Sequence, residues 1–274
     1  MSTFIHFINV GQGNMNLLIC DNGAVILYDC NITDNNRNSV FAYLRKIMPK
    51  NSIDVFVNSH RDCDHMRNIQ EVHQVYPIGK IWDSGQYGTS PQDATYQAYM
   101  RLKRNVSSEE LTSKQSWNAG TTKIQCLNGW RDGTSDANSQ SIVLRVQHGT
   151  GSSMILTGDS DAVAWKNRIL RSFAKENLKS NILLASHHGS ISFFDDPSDE
   201  ENYYTQHIQA IKPEMTIISV GRNVHGHPDS KSVELYKKYS AGSNKGNKLR
   251  RTDEDGNIVL ELKNEGGWSL SCNQ

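Results

Sequence analysis

The stretch NSHRDCDHM, residues 58–66, constrains the chain more than any other. It places four side chains of metal-ligand type, His60, Asp62, Asp64 and His65, on one short loop. A compact apolar run, IDVFVNS, leads into it, and a segment with helical spacing, MRNIQEVHQVY, follows. That order predicts a strand that ends on a ligand-bearing loop and hands over to a helix. The plain alternative is a polar turn in which Asp62 or Asp64 caps the helix, because aspartate is a favoured N-cap.

The rest of the chain uses the same grammar. The opening runs TFIHFINV, NLLIC and AVILYDC, punctuated by GQGN and DNG, predict an antiparallel meander. Residues 38–48 have helical spacing and stop at Pro49, and GKIWDSG reads as a strand. Residues 86–118 are polar and irregular around a helical centre, YQAYMRLKRNV, and read as an insertion forming one wall of a cleft. Further strands are expected at TKIQCLN, SIVLRVQ, SSMILTGD, NILLAS and MTIISVG, with helices at AWKNRILRSFAKE and KSVELYKKYS. The last strands, near KLRRT and NIVLEL, are expected to be joined as a hairpin through DEDG. The pattern gives an α/β chain of sheets packed together and flanked by helices, with residues 1–274 as a single domain.

Other strands also end in candidate ligands. MILTG ends in Asp159, NILLAS in His187 and His188, and MTIISVG leads to His225 and His227. Loops at strand ends are where a sheet scaffold gathers side chains into a site. Two divalent cations held close together repel, so an anionic group must be shared between them, and Asp159 is the candidate bridge.

In order, HxDxDH, LTGD, HHGS, SVGxNxxGHP and RTDEDGxI resemble the metallo-β-lactamase superfamily. More narrowly they resemble the hydrolase domain of the competence DNA-uptake protein ComEC and its stand-alone soluble relatives. INVGQGN and ILYDC resemble that family's opening motifs, so the likeness runs from about residue 4 to residue 262. The resemblance implies an αββα sandwich of two mixed sheets. It implies one metal on His60, Asp62 and a histidine of HHGS, and another on Asp64, His65 and His227, with Asp159 between them. His187 is the first choice in HHGS, with His188 beside the scissile group, and the reverse order is open. His225 reads as a substrate-side or packing residue rather than a ligand. Asp62 stands where the family usually has histidine, and Asn14 replaces an acid. Asp29 is placed to orient a ligand, and Cys63 to pack as a small buried hydrophobe.

The function expected from this set is a binuclear metal-dependent hydrolase, a phosphodiesterase or nuclease that cleaves DNA by a metal-bridging hydroxide. Asp64 and Asp159 hold the catalytic ions, and His188 or a metal-bound water protonates the leaving oxygen. Lys179 and Asn223 are candidates for contacting phosphate. The carboxylate at Asp62 hardens the site, so manganese joins zinc as a candidate for the two divalent ions. Alternatives are a carbonyl hydrolase (lactonase, thioesterase or lactamase-like) and a metal-bound regulatory subunit.

Charge limits the partners. Lys plus Arg and Asp plus Glu both total 29, which excludes a strongly basic nucleic-acid footprint. RLKR at 101–104 and KGNKLRR at 245–251 are local exceptions. Stand-alone relatives of this type resemble effector subunits of bacterial antiviral defence systems, so a protein partner that delivers the substrate is expected. Five cysteines without a CxxC pair fit a reducing compartment. No run approaches the ~18 apolar residues of a membrane span. The expectation is a soluble cytoplasmic protein with no membrane contact.

Overall fold

Two meanders, each continued by helical crossovers, make the fold. The computed structural model describes residues 1–86, 91–129, 136–196, 198–199, 202–241 and 248–273. Strands β1 (Thr3–Phe7), β2 (Asn16–Ile19) and β3 (Val25–Tyr28) are antiparallel. The stub β4 (Cys30–Asn31) bridges to Met66 and Arg67. Helix α1 (Arg37–Ile47) crosses to β5 (Ile53–Val57), α2 (Cys63–Met66) and α3 (Ile69–Val75) to β6 (Ile78–Asp83), and α4 (Ala94–Asn105) to β7 (Ser107–Glu110). These crossovers make β3, β5, β6 and β7 parallel.

The second half repeats the plan. Strands β8 (Ser116–Ala119), β9 (Thr122–Asn128), β10 (Val143–His148) and β11 (Ser153–Leu156) are antiparallel. Helix α5 (Ala162–Ala164), a π-turn at Trp165–Ile169 and α6 (Leu170–Ser172) lead to β12 (Ile182–Leu184). Helix α7 (Gln206–Ile211) leads to β13 (Met215–Ile218), and α8 (Ser230–Tyr239) to β14 (Leu249–Arg251), all parallel with β11. The turn α9 (Thr252–Asp255) precedes β15 (Asn257–Leu262) and β16 (Trp268–Asn273).

Among the described residues the sheets run β16-β15-β1-β2-β3-β5-β6-β7 and β14-β13-β12-β11-β10-β9-β8. Alternate residues of the central strands serve different layers. In β3, Ile26 and Tyr28 face the opposite sheet, while Val25 and Leu27 face helices. In β12, Ile182 and Leu184 pack between the sheets and Leu183 packs with Trp165 and Ile169 outside. Strands buried on both faces explain the near-continuous apolar runs. Each fully buried Leu, Ile or Phe contributes roughly 1.5–3 kcal/mol. The expected helix–sheet–sheet–helix architecture is what the chain adopts.

One expectation about connections needs correction. KLRRT and NIVLEL do not form a hairpin: β14 pairs with β13 in one sheet and β15 with β1 in the other. The buried Thr252 hydroxyl bonds both N–H and C=O of Val220, each at 2.9 Å, and so pins the chain where it crosses between sheets. Of the segment 86–118, residues 87–90 lie outside the described residues, and 91–118 are more regular than their composition suggests. They hold α4 and the edge strands β7 and β8, one on each sheet. Strand β7 is polar and largely exposed, and β8, whose Trp117 and Ala119 pack against the core, is only four residues long, so its alternation is too short to mark it. Strand β16 was also not anticipated.

Candidate metal centre

Parallel strands deliver their C-terminal ends to one edge of each sheet, and the candidate ligands collect there. Val57 ends β5, and Ser59 N–H then donates to Asp29 Oδ1 at 2.7 Å. Asp29 itself holds a left-handed backbone, φ 60°, at the end of β3. Gly158 precedes Asp159 at φ 54°, and a Cβ there would lie 2.8 Å from the Ser59 Cβ. Glycine is therefore required for the two sheets to approach at this point. His187 and His188 also hold left-handed backbone, φ 50° and 54°, which costs a non-glycine residue of order 1–3 kcal/mol. This turn aims the two neighbouring imidazoles at different parts of the cluster.

Asp159 stands at the centre, buried, and its two oxygens have different nearest neighbours in sets that adjoin at His65, whose ring lies 4.1 Å from that of His60. Around Oδ2 lie His60 Nε2 at 3.7 Å and His187 Nε2 at 3.6 Å, and Asp62 Oδ2 is 3.4 Å from His60 Nε2. Around Oδ1 lie His65 Nε2 at 3.2 Å and His188 Nε2 at 3.8 Å. Asp64 Oδ2 completes this second group, 3.2 Å from His188 Nε2 and 3.9 Å from His65 Nε2. Ligands about 2.0–2.1 Å from a tetrahedral ion would be separated by roughly 3.3 Å, close to these spacings. Asp62 occupies the N-cap position of α2, but its carboxylate makes no capping bond. The plain capping alternative therefore does not describe it.

Each imidazole is held from behind. His65 Nδ1 is 2.8 Å from Asp29 Oδ2, His188 Nδ1 3.0 Å from Ser219 O, His187 Nδ1 3.1 Å from Ser192 Oγ and His60 Nδ1 3.0 Å from Ser59 Oγ. Such anchors fix ring orientation and leave Nε2 for the centre. The Nε2 atoms of His60, His65 and His188, and Oδ1 of Asp159, are buried with no hydrogen-bond partner. Unsatisfied buried polar atoms cost about 1–3 kcal/mol each. Four of them converging among carboxylates fit divalent cations by both charge and donor type.

The electrostatics agree. Burial would raise the Asp159 carboxyl, but His65, His187, His188 and His60 outweigh it and hold it well below the usual carboxylate range. Asp64 is likewise lowered despite burial, by His65 and His188. Burial opposes charge on His65, yet Asp159, Asp29 and Asp64 raise it well above the ordinary value. His188 is raised by Asp159 and Asp64 against the same burial penalty. His187 is lowered, mainly by burial.

The structure brings His60, Asp62, Asp64, His65, Asp159, His187 and His188 together. His227 lies at the margin: its ring is 5.3 Å from that of His187, and His188 takes the place beside Asp64 that was expected for His227. The exposed His225 ring stacks on His227 at 5.9 Å. Asn223 is occupied in shaping this loop, accepting from His225 and His227 N–H and donating to Gly221 and His227 carbonyls. Lys179 does not join the cluster. It precedes β12, whose opposite end leads to His187, and its carbonyl accepts from Arg145. Cys63 is only half-buried, its thiol 3.3 Å from Asp93 Oδ1, so it is not the buried hydrophobe expected.

The basic clusters are partly neutralised. Lys103 of the first is paired with Asp83, and Arg250 and Arg251 of the second with Asp255, Asp253 and Glu254. Residues 245–247 lie outside the described residues. No helix among the described residues is long and apolar enough to cross a membrane. The hydroxyls of Ser59 and Ser192 and the carbonyl of Ser219 were missed as anchors, because sequence spacing does not show which group faces an imidazole Nδ1.

No protein-family model matches the chain, and no curated protein matches it by sequence. Solved structures do match in shape. Igni18, a metallo hydrolase from Ignicoccus hospitalis, is 14% identical with a TM-score of 0.58, over 95% of this chain and 100% of that one. YhfI of Bacillus subtilis, a metallo-β-lactamase fold protein, is 13% identical with a TM-score of 0.56, over 95% and 100%. The diiron β-hydroxylase CmlA of Streptomyces venezuelae is 11% identical with a TM-score of 0.58, over 95% of this chain and only 54% of its own. At these identities the likeness is one of fold. Two packed mixed sheets flanked by helices, with the ligand cluster at their shared edge, give this chain the metallo-β-lactamase fold.

Proposed function

We propose that the chain is a two-cation hydrolase of phosphodiesters, with nucleic acid as its substrate class. The observation that carries this reading is the division of Asp159, whose Oδ2 has His60 and His187 as nearest imidazoles and whose Oδ1 has His65 and His188, in two sets that adjoin at His65. His60, Asp62, His187 and Asp159 Oδ2 would hold one cation. Asp64, His65, His188 and Asp159 Oδ1 would hold the other. This allocation gives both histidines of HHGS to the metals and leaves His227 and His225 on the substrate side.

The cations, when bound, supply Lewis-acid charge and the activated water that hydrolysis needs. The chain's own contribution is placement. Asp29, Ser59, Ser192 and Ser219 hold the imidazoles, so little reorganisation is needed at reaction. Three carboxylates, Asp62, Asp64 and Asp159, make an anionic set that suits zinc or the harder manganese and binds cations strongly enough to hold an anionic phosphodiester. A diphosphatase of the PhnP family shares the fold at a TM-score of 0.51 and 12% identity, over 96% of this chain, which supports phosphorus chemistry as one use of this scaffold. The net charge of zero gives little pull on a polyanion, so a partner subunit, as in a defence assembly, would deliver the nucleic acid.

The test is metal analysis together with cleavage of single- and double-stranded DNA under added zinc or manganese. Two ions per chain with DNA cleavage lost in Asp64→Ala supports the reading. Two ions per chain with no cleavage under either metal contradicts it.

A further inference from the structure

We propose that Arg61 is a positioning residue that sets the His60–Asp62 side of the ligand set by clamping its loop to α4. This rests on the two-cation reading above. Along the loop, His60, Asp62 and Asp64 face the cluster, while Arg61 and Cys63 meet residues of or next to α4. Arg61 is buried, and its Nη2 lies 3.0 Å from Asp83 Oδ2 at the end of β6. Asp83 also takes Lys103 Nζ at 2.9 Å and the hydroxyl of Tyr99, both from α4, and the Gly85 N–H at 2.9 Å. The guanidinium carbon stands 5.8 Å from the ring centroids of both Tyr96 and Tyr99. Cys63 makes a second tie, donating to Asp93, whose carboxylate caps the start of α4.

The chemistry selects arginine. A planar guanidinium carries several N–H donors in a fixed fork, so Arg61 bonds Asp83 and the Tyr96 hydroxyl through separate nitrogens while lying against the rings of Tyr96 and Tyr99. A buried ion pair is poor evidence for stability by itself, since desolvation offsets its attraction. Its use here is to specify position: Arg61 lies between His60 and Asp62, so any slip of the clamp moves those side chains. Groups that orient ligands in this way typically change metal affinity by about 10–100-fold when removed.

The experiment uses cobalt(II) as the probe, reading affinity by chelator competition and coordination by visible absorption. The wild-type chain is expected to bind two ions. In Arg61→Lys and Asp83→Asn, one ion is expected to bind as in wild type and the other about tenfold or more weakly, with an altered spectrum for that ion. Circular dichroism of the metal-free variants checks the fold. If either fails to fold, Lys103→Gln and Tyr99→Phe remove outer members of the clamp, and a smaller loss at the same ion is expected. Wild-type affinities and spectra at both ions in the folded variants overturn the clamp alone. A wild-type chain that does not take two cobalt ions overturns the two-cation reading, and the clamp with it.

Discussion

His65 and Asp29 meet at 2.8 Å through Nδ1 and Oδ2, both fully buried, while Nε2 on the other edge of the ring lies 3.2 Å from Asp159 Oδ1. Asp29 also receives the N–H and hydroxyl of Ser59. One carboxylate thus holds both the ring and the start of the ligand loop. Asp29→Asn is expected to weaken cation binding about 10–100-fold, measured by chelator competition. Affinity equal to wild type would show that the loop alone orients His65.

Asp62 brings a carboxylate to the group around His60, and the His60 imidazole 3.4 Å away lowers its pKa. Asp62→His is expected to shift selectivity from manganese towards zinc, since imidazole suits the softer ion. Competitive loading with both metals, followed by elemental analysis, checks the direction. An unchanged ratio contradicts the role given to Asp62.

Gly158 holds a left-handed backbone against Ser59. Gly158→Ala is expected to cost about 1–3 kcal/mol from backbone strain, with further loss if Ser59 is displaced. Chemical denaturation of the metal-free chain measures it, and loss of cation binding should accompany the change.

His207 gives a pH dependence far from the ligand cluster. Its Nε2 lies 2.6 Å from Phe193 O among aromatic rings, and burial lowers its pKa from 6.5 to about 3. The unfolded chain therefore takes up a proton near pH 6.5 that the folded chain refuses. The stability is fully present above the unfolded pKa and is lost as pH falls towards the folded one. From pH 6.5 to 5 this term amounts to about 2 kcal/mol. The stability of His207→Leu should fall less steeply over that window than that of wild type, and parallel slopes would contradict the assignment.

The ligand loop was legible because an apolar strand, a run of ligand types and a helical pattern stand in sequence at residues 53–76. Asp159 and the HHGS pair were legible for the same reason. The choice between His187 and His188 was not, because it depends on two successive left-handed residues that no spacing reveals. The place of His227 beside His187 was not legible, because it is set by a loop folded around Asn223. Strand β7 was hidden because its residues are polar and largely exposed, and β8 because its inward Trp117 and Ala119 give only one short alternation. The crossover at Thr252 was hidden because a turn motif does not say which sheet receives the next strand. Arg61 was passed over because its neighbours, Asp83 and α4, are distant in sequence.

The central claim is best tested with a chromogenic phosphodiester, offered to the zinc- or manganese-loaded chain beside a chromogenic thioester and a cephalosporin. The account predicts metal-dependent turnover of the phosphodiester alone, abolished in Asp159→Asn. Turnover of the thioester or the cephalosporin, with none of the phosphodiester, would contradict it.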